Sequence, residues 1–410
     1  MSQQRAVTGR SRPATESGRL GLALSGGGSR AAAFHLGVLR GLRAAGLLSE
    51  VEVVSAVSGG AMLAGAFGVH GADFDRSEAR VRGFLARDLK LRILRAALRL
   101  DRALRLLLDP RYSLTEVFAD VLDAEMLEGR SLGSLAGARP RLVINATCIN
   151  HGTGWRFAPE RIGDWLLGTE DAGVIGRFRL ARAVAASAAF PGGFAPLVLD
   201  ASGFRGRVPP PREVLLCDGG VDDNLGVHAL AASGCGALVV SDGSSPFVPD
   251  ERPLDRFGLS AWRRLAVVLA ALAAAAGIGA WLGRGVGVAG LIAAAAVAGL
   301  LAALGLRLRL ALSLFASVAM RGQRRGVLRQ VFALRAQRPV LYVGLASRPG
   351  PAATDELRRR GVDPERLRRL PTDLALDARD VEGLVALGEA LVGERLREWR
   401  DRTRETGRAR

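Results

Sequence analysis

Three short glycine-bearing stretches carry groups that could do chemistry together. "SGGGSR" sets Gly26, Gly27 and Gly28 between an apolar run and a helical one. Successive backbone N–H groups in such a loop can converge on one point, and the following helix N-terminus adds partial positive charge, so the loop suits an anion. That anion is either a phosphate or an oxyanion that exists only during a reaction. Neither G-x-G-x-x-G nor G-x-x-x-x-G-K-[ST] fits the stretch, which weakens the nucleotide reading. "VVSAVSGG" sets Ser58 at a strand-to-helix turn, before Gly59 and Gly60, the context of an exposed serine nucleophile. "LLCDGG" ends a strand on Asp218, before Gly219 and Gly220, whose lack of side chains lets other groups approach. A carboxylate held against a serine hydroxyl can take its proton directly, giving a two-residue nucleophilic site.

The elements around these stretches are those of an open α/β sheet. Residues 21–25 read as a short buried strand, residues 29–45 as a helix and Val51–Val57 as a β-branched strand. Strand, glycine turn, helix, repeated, is the pattern of parallel pairing. Further strands are predicted over 140–150, from Glu213 to the Asp-Gly-Gly turn, up to about Ser241, and over 339–347. Their ends are small or polar, which is where such sheets keep their sites. Residues 180–199 read as a helix broken at Pro191-Gly192-Gly193, and 378–399 as an amphipathic closing helix. From Val81 to Leu108 leucine and arginine alternate near helical spacing, which suits either a helix lying on a membrane surface or lining a lipid entrance, or a solvated helix packed on the domain. The histidines are His35, His70, His151 and His228. None lies in the last third of the chain, where an α/β-hydrolase would carry its base, so Asp218 is the better partner for Ser58.

Taken in this order, the motifs resemble the patatin-like phospholipase family. The family's G-G-G-x-[RK]-G loop matches Gly26 to Arg30, with Ala31 in the last glycine's place. Its G-x-S-x-G elbow matches residues 56–60, with Ala56 for the first glycine. Its D-G-[GA] motif matches Asp218-Gly219-Gly220, and "ASAAFPGGFAP" resembles the family's helix-break segment ahead of the acid. The resemblance spans about residues 19–257 and resumes after residue 321. It implies a three-layer α/β/α fold with a mostly parallel sheet. It also implies a Ser58–Asp218 dyad, an oxyanion hole around Gly26, Gly27 and Gly28, and hydrolysis of membrane-lipid acyl esters through an acyl-enzyme, of the phospholipase A or lysophospholipase type. Gly60, Gly219 and Gly220 are supporting residues, and Arg30 either anchors the loop or attracts a lipid phosphate. No metal or other cofactor is implied, and calcium independence is expected. The same dyad would serve a lipid acyltransferase, or stand idle in a membrane scaffold.

The composition bears on where such an enzyme works. The chain has 410 residues, 49% of them hydrophobic, and a net charge of +17 carried almost wholly by arginine. Aromatics are few and no nucleic-acid module is present, so the charge fits an anionic membrane surface better than nucleic acid. Cys148, Cys217 and Cys235 show no metal spacing, and an odd count argues against a disulfide framework. Residues 265–282 and 286–306 carry no charge, are joined by Gly283-Arg284-Gly285, and are flanked by Arg263, Arg264, Arg307 and Arg309. Each is about the 20 residues that span a bilayer, and the arginines put both ends in the cytoplasm. The expected organisation is a disordered lead over 1–18, which has no apolar leader segment, and a catalytic domain over 19–258. A two-helix membrane hairpin over 259–320, the rest of the catalytic domain over 321–400 and a basic tail over 401–410 follow. The expected location is a bacterial inner membrane with the catalytic domain on the cytoplasmic side.

Overall fold

The computed structural model describes residues 19–71, 73–244, 315, 319–320, 322–372 and 374–408. Its nine strands are β1 (Leu20–Leu24), β2 (Val51–Val57), β3 (Arg141–Cys148), β4 (Thr153–Ala158), β5 (Arg161–Gly163), β6 (Leu197–Asp200), β7 (Glu213–Asp218), β8 (Ala237–Asp242) and β9 (Val340–Gly344). They form one sheet in the order β5-β4-β3-β2-β1-β8-β9, with β7 paired to β3 and β6 paired to β7. The five strands from β3 to β9 are mutually parallel. Strands β4, β5, β6 and β7 are antiparallel additions.

The helices are α1 (Gly28–Ala44), α2 (Gly59–His70), α3 (Phe74–Leu85), α4 (Leu89–Ala97), α5 (Leu100–Leu108), α6 (Leu114–Leu122), α7 (Ala172–Arg177), α8 (Leu180–Ser187), α9 (Gly220–Asp223) and α10 (Val227–Ala231), followed by a helix over 322–334, Pro351–Arg359, Pro364–Arg368 and the closing Ala378–Arg408. Side chains of the parallel strands alternate between two cores, as the period of two demands. Leu22, Leu24, Ile144 and Val239 join α1, α2, α6, α8 and the closing helix on one face. Ala23, Val53, Val143, Leu238 and Val240 meet Val227 and Leu230 of α10 and Val327 and Val331 of the 322–334 helix on the other. The sheet is thus sandwiched between helices, the three-layer arrangement expected of near-continuous apolar strands.

The single helix expected over 81–108 is three. Asp88 caps α4, its carboxylate accepting the Leu91 N–H at 3.1 Å, and the chain turns extended at Arg99 before α5 begins. The cap supplies an acceptor that a continuous helix would not need, and this ends the previous helix early. Buried Asp242, at the end of β8, pairs with Arg324 at 2.8 Å and accepts from the Tyr342 hydroxyl at 2.7 Å. Burial is the largest influence and opposes its charge, but Arg324 together with hydrogen bonds from Ser244 and Tyr342 outweighs it and holds the carboxyl below its usual range. This network ties the 322–334 helix to β8.

The chain divides into two compact units. One comprises residues 1–190, 194–246 and 320–410, and the other Pro191–Gly193 with residues 247–319. Among the described residues no helix is long and apolar enough to cross a membrane. The two uncharged runs of the expected hairpin lie outside the described residues.

Candidate active site

Strand β3 brings the serine and the aspartate together. Its first half, up to Asn145, pairs with β2, and Asn145 lies opposite Val57. Its second half, Ala146 to Cys148, pairs with β7, and Ala146 lies opposite Asp218. Since β4 occupies the other edge of β3 from Ile144 onward, β2 and β7 share one edge. They run in opposite directions along it, and their C-terminal ends meet. Ser58 is the residue after β2 and Asp218 is the last of β7, so 160 residues of separation collapse onto one junction.

Ser58 has φ of 50°, one of two non-glycine residues with positive φ among the described residues. That conformation costs roughly 1–3 kcal/mol and persists only where the surroundings over-determine it. Here they do. The Ser58 N–H donates to Ser187 Oγ at 2.8 Å, and Ser187 Oγ donates to the Asn145 carbonyl at 2.6 Å. The Ser58 carbonyl accepts from Met62 N–H at 3.1 Å, and Gly60 N–H donates to the Ser25 carbonyl at 3.2 Å. Gly59 stands against the backbone of Gly28, so closely that a Cβ there would collide with the Gly28 carbonyl. The elbow therefore needs glycine for proximity rather than for its torsion. Ala56, by contrast, is an ordinary in-register residue of β2 between Leu24 and Ile144, and nothing there requires glycine.

Asp218 is 2% exposed. Its Oδ1 accepts Gly220 N–H at 2.7 Å, and the Ser58 side chain also favours its ionised form. Burial pushes its pKa up to about 6, against the opposing pull of those two groups. A carboxylate so placed is ionised at neutral pH yet a far stronger base than a surface aspartate. The backbone of Asp218 is fixed from both sides, its N–H donating to the Ala189 carbonyl at 3.0 Å and its carbonyl accepting from the Thr147 hydroxyl at 2.9 Å.

Two helix N-termini open on this junction. Gly28 begins α1 and Gly59 begins α2, and a residue in that position has no intrahelical acceptor for its N–H. Gly27, with φ of 144°, holds a backbone that side chains rarely adopt. The Gly26 N–H is already spent, donating to the Asn224 carbonyl at 2.9 Å. The donors left for an oxyanion are those of Gly27 and Gly28, with Gly59 added. Arg30 does not point at the site's opening. It is fully buried, and its guanidinium donates to the carbonyls of Gly243, at 3.2 Å, and Leu370 and to Thr372 Oγ1 at 3.1 Å. That geometry is an anchor for the loops, not a phosphate receptor.

Three participants carry no motif of their own. Ser187 latches the elbow, Asn145 bonds Ser55 and Ala56 through its side chain, and Asn224 borders Gly26 and Gly220 while donating to Ser244 Oγ at 2.9 Å. Ser187 lies in the helix-break segment singled out in the sequence, and its proximity to the predicted acid was the signal available. His35 and His228 are engaged with other groups. His35 is fully buried, bridges Ser241 Oγ at 2.6 Å and the Ser25 carbonyl at 2.9 Å, and is pushed down to about 4 by burial. His228 is held up at about 9 by the Asp222 carboxylate, 3.9 Å away, aided by Asp223. Among the described residues the one group that could share an ion is Cys148, His151 and Asp164, at the β3–β4 turn. Asp164 there already accepts from the Thr153 hydroxyl at 2.5 Å and from the N–H groups of Leu166 and Leu167. A groove of about 480 Å³ runs past Tyr112, Phe178 and Arg182, and neither Ser58 nor Asp218 lines it. Its arginines are matched, Arg182 to Glu116 at 2.7 Å and Arg179 to Asp120 at 2.9 Å, so it is no anion site.

The family model of patatin-like phospholipases matches residues 22–231, from within β1 to the end of α10 and so including both Ser58 and Asp218. Solved structures similar to the chain include human GIVD cytosolic phospholipase A2, with 16% identity, 57% of this chain and 44% of that one covered, and a TM-score of 0.41. The same human protein in complex with methyl gamma-linolenyl fluorophosphonate gives 17%, 58%, 42% and 0.39. VipD from Legionella pneumophila gives 15%, 63%, 55% and 0.29. The chain thus spans under half the length of the human protein. No curated protein matches it.

Proposed function

The chain belongs to the patatin-like phospholipase family, and from that premise we propose that it hydrolyses acyl esters of membrane lipids through Ser58 and Asp218. The observation that carries the reading is the junction of β2 and β7 on β3, where a strained serine meets a buried carboxylate beside two free helix ends. Ser58 Oγ attacks the ester carbonyl as its proton passes to Asp218. The tetrahedral oxyanion accepts from the N–H groups of Gly27, Gly28 and Gly59; one such donor is typically worth about 3 kcal/mol in the transition state. Collapse breaks the ester bond, and the departing alcohol takes the proton from Asp218. Asp218 then deprotonates water, which attacks the acyl-serine; the Ser58–acyl bond breaks, Ser58 Oγ takes the proton back from Asp218, and the fatty acid is released. No step needs a metal.

The substrate class follows from the family, with phospholipids or lysophospholipids as the expected esters. A position on the cytoplasmic face of a bacterial inner membrane is supported by the +17 charge and by the arginine-flanked uncharged runs at 265–282 and 286–306. The test is fatty-acid release from phospholipid in mixed micelles, with and without a calcium chelator. Wild type should release fatty acid at the same rate in both, and Ser58→Ala should release none above background. Equal release by wild type and Ser58→Ala would discard the reading.

A further inference from the structure

The outer faces of α4 and α5 carry apolar side chains that, among the described residues, nothing covers. Leu94 is exposed on α4, Leu98 just past its end, and Leu100, Leu104, Leu107 and Leu108 on α5, with Leu98 at 71%, Leu107 at 81% and Leu108 at 80%. On α5 the spacing is i, i+4, i+7, i+8, which is one continuous stripe. The opposite side of each helix is fixed to the domain. Leu89, Ile93 and Ala97 of α4 are buried, Arg92 pairs with Glu125 and lies 4.2 Å over Phe84, and Arg102 of α5 pairs with Asp120 at 3.3 Å. The exposed leucines are therefore not a helix that failed to dock; it has docked by its other side.

Charge identifies the occupant. Between Arg87 and Arg111 the chain carries eight basic residues and three acidic ones. Arg95 and Arg99 are exposed beside the leucines, and Arg105 is exposed at the stripe's edge, over the Tyr112 ring. A leucine stripe bordered by arginines is the pattern of a helix lying in an anionic lipid interface, with apolar side chains below the headgroups and guanidinium groups at their level. Leucines spread over the outer surfaces of two successive helices fit a plane better than the groove of a protein partner.

We propose that α4 and α5 form a membrane-docking surface that inserts its leucines into an anionic lipid interface. The choice of a lipid partner rests on the lipid-hydrolase reading, but docking itself does not require catalysis. It is therefore tested in full-length protein carrying Ser58→Ala. An environment-sensitive fluorophore is attached at Leu107→Cys, since Cys148, Cys217 and Cys235 are all buried. A second preparation carries it at the exposed Ala352→Cys of the Pro351–Arg359 helix. With phosphatidylcholine–phosphatidylglycerol vesicles the 107 fluorophore should shift to the blue and be quenched by a lipid-borne spin label, while the 352 fluorophore stays water-like. Adding Arg95→Glu and Arg99→Glu should raise the vesicle concentration needed by roughly tenfold or more.

Emission at 107 that stays water-like while the protein sediments with vesicles would overturn the proposal, as would failure to sediment at all. So would a blue shift without vesicles: one that grows with protein concentration means a second copy covers the face, and one that does not means this chain's own residues do. Unchanged melting of the labelled variants guards against misfolding as the cause.

Discussion

Ser58 and Leu107 mark two regions built on opposite terms. Ser58 is 8% exposed, its torsion is strained, and hydrogen bonds from α8, β3 and α2 hold it. Leu107 is 81% exposed on a regular helix none of whose residues is fully buried. At the first region, side chain and backbone are specified together, because the ends of β2 and β7 and the starts of two helices must meet on β3. At the second, the fold fixes only the course of the helix, and the outward side chains answer to whatever lies outside. Rigid chemistry and adaptable surface are thus separated in one unit of the chain, and substitutions should affect the two in different currencies.

The largest contrast is in activity. Ser58→Ala should lower turnover by roughly ten-thousandfold or more, since removing a nucleophile leaves only the donors and binding. Its melting temperature should stay near that of wild type, which calorimetry would check. Gly59→Ala comes next and acts on folding, because its Cβ would enter the Gly28 carbonyl. A loss of about 3 kcal/mol, read by chemical denaturation, is expected for such overpacking. If Gly59→Ala were neutral, the tight junction described here would be wrong.

Asp218→Asn should separate function from stability. Turnover should fall about a thousandfold or more, while stability at neutral pH should rise. In the folded state Asp218 binds its proton up to about pH 6, whereas an unfolded aspartate releases it near 3.8. Between those values the native state holds the extra proton, so wild-type stability falls as pH rises through that window. The neutral amide escapes this, for a gain on the order of 1–3 kcal/mol at pH 7 that vanishes below the lower value. The same group sets an acid limb. kcat/KM should decline below about pH 6, and a limb near 4 instead would place the base elsewhere. The smallest effect is expected at the other region, where Leu107→Ser should change stability by under about 0.5 kcal/mol.

The parallel strands were legible because burial on both faces makes them short apolar runs with small residues at their ends. Val51–Val57 coincides with its expected bounds, and β1 and α1 each differ by one residue. Ser58, Asp218 and the glycine loop were legible because each sits at such an end. The antiparallel strands β4 to β6 were not, since "TGWRFA" and "LVLD" are too short and mixed to show a period. The pairing of β7 with β3, which creates the junction, follows from long-range register that local pattern does not encode. Gly26 illustrates the same limit. Composition marks all three glycines of the loop alike, and only the bond to Asn224 separates its N–H from those of Gly27 and Gly28.

The most direct measurement is covalent trapping of the full-length protein in detergent with an alkyl fluorophosphonate, followed by peptide mass spectrometry. A single adduct on Ser58, lost in Ser58→Ala and slowed at least a hundredfold in Asp218→Asn, is the predicted result. An adduct on another residue, or labelling of Ser58 at an unchanged rate in Asp218→Asn, would contradict the dyad.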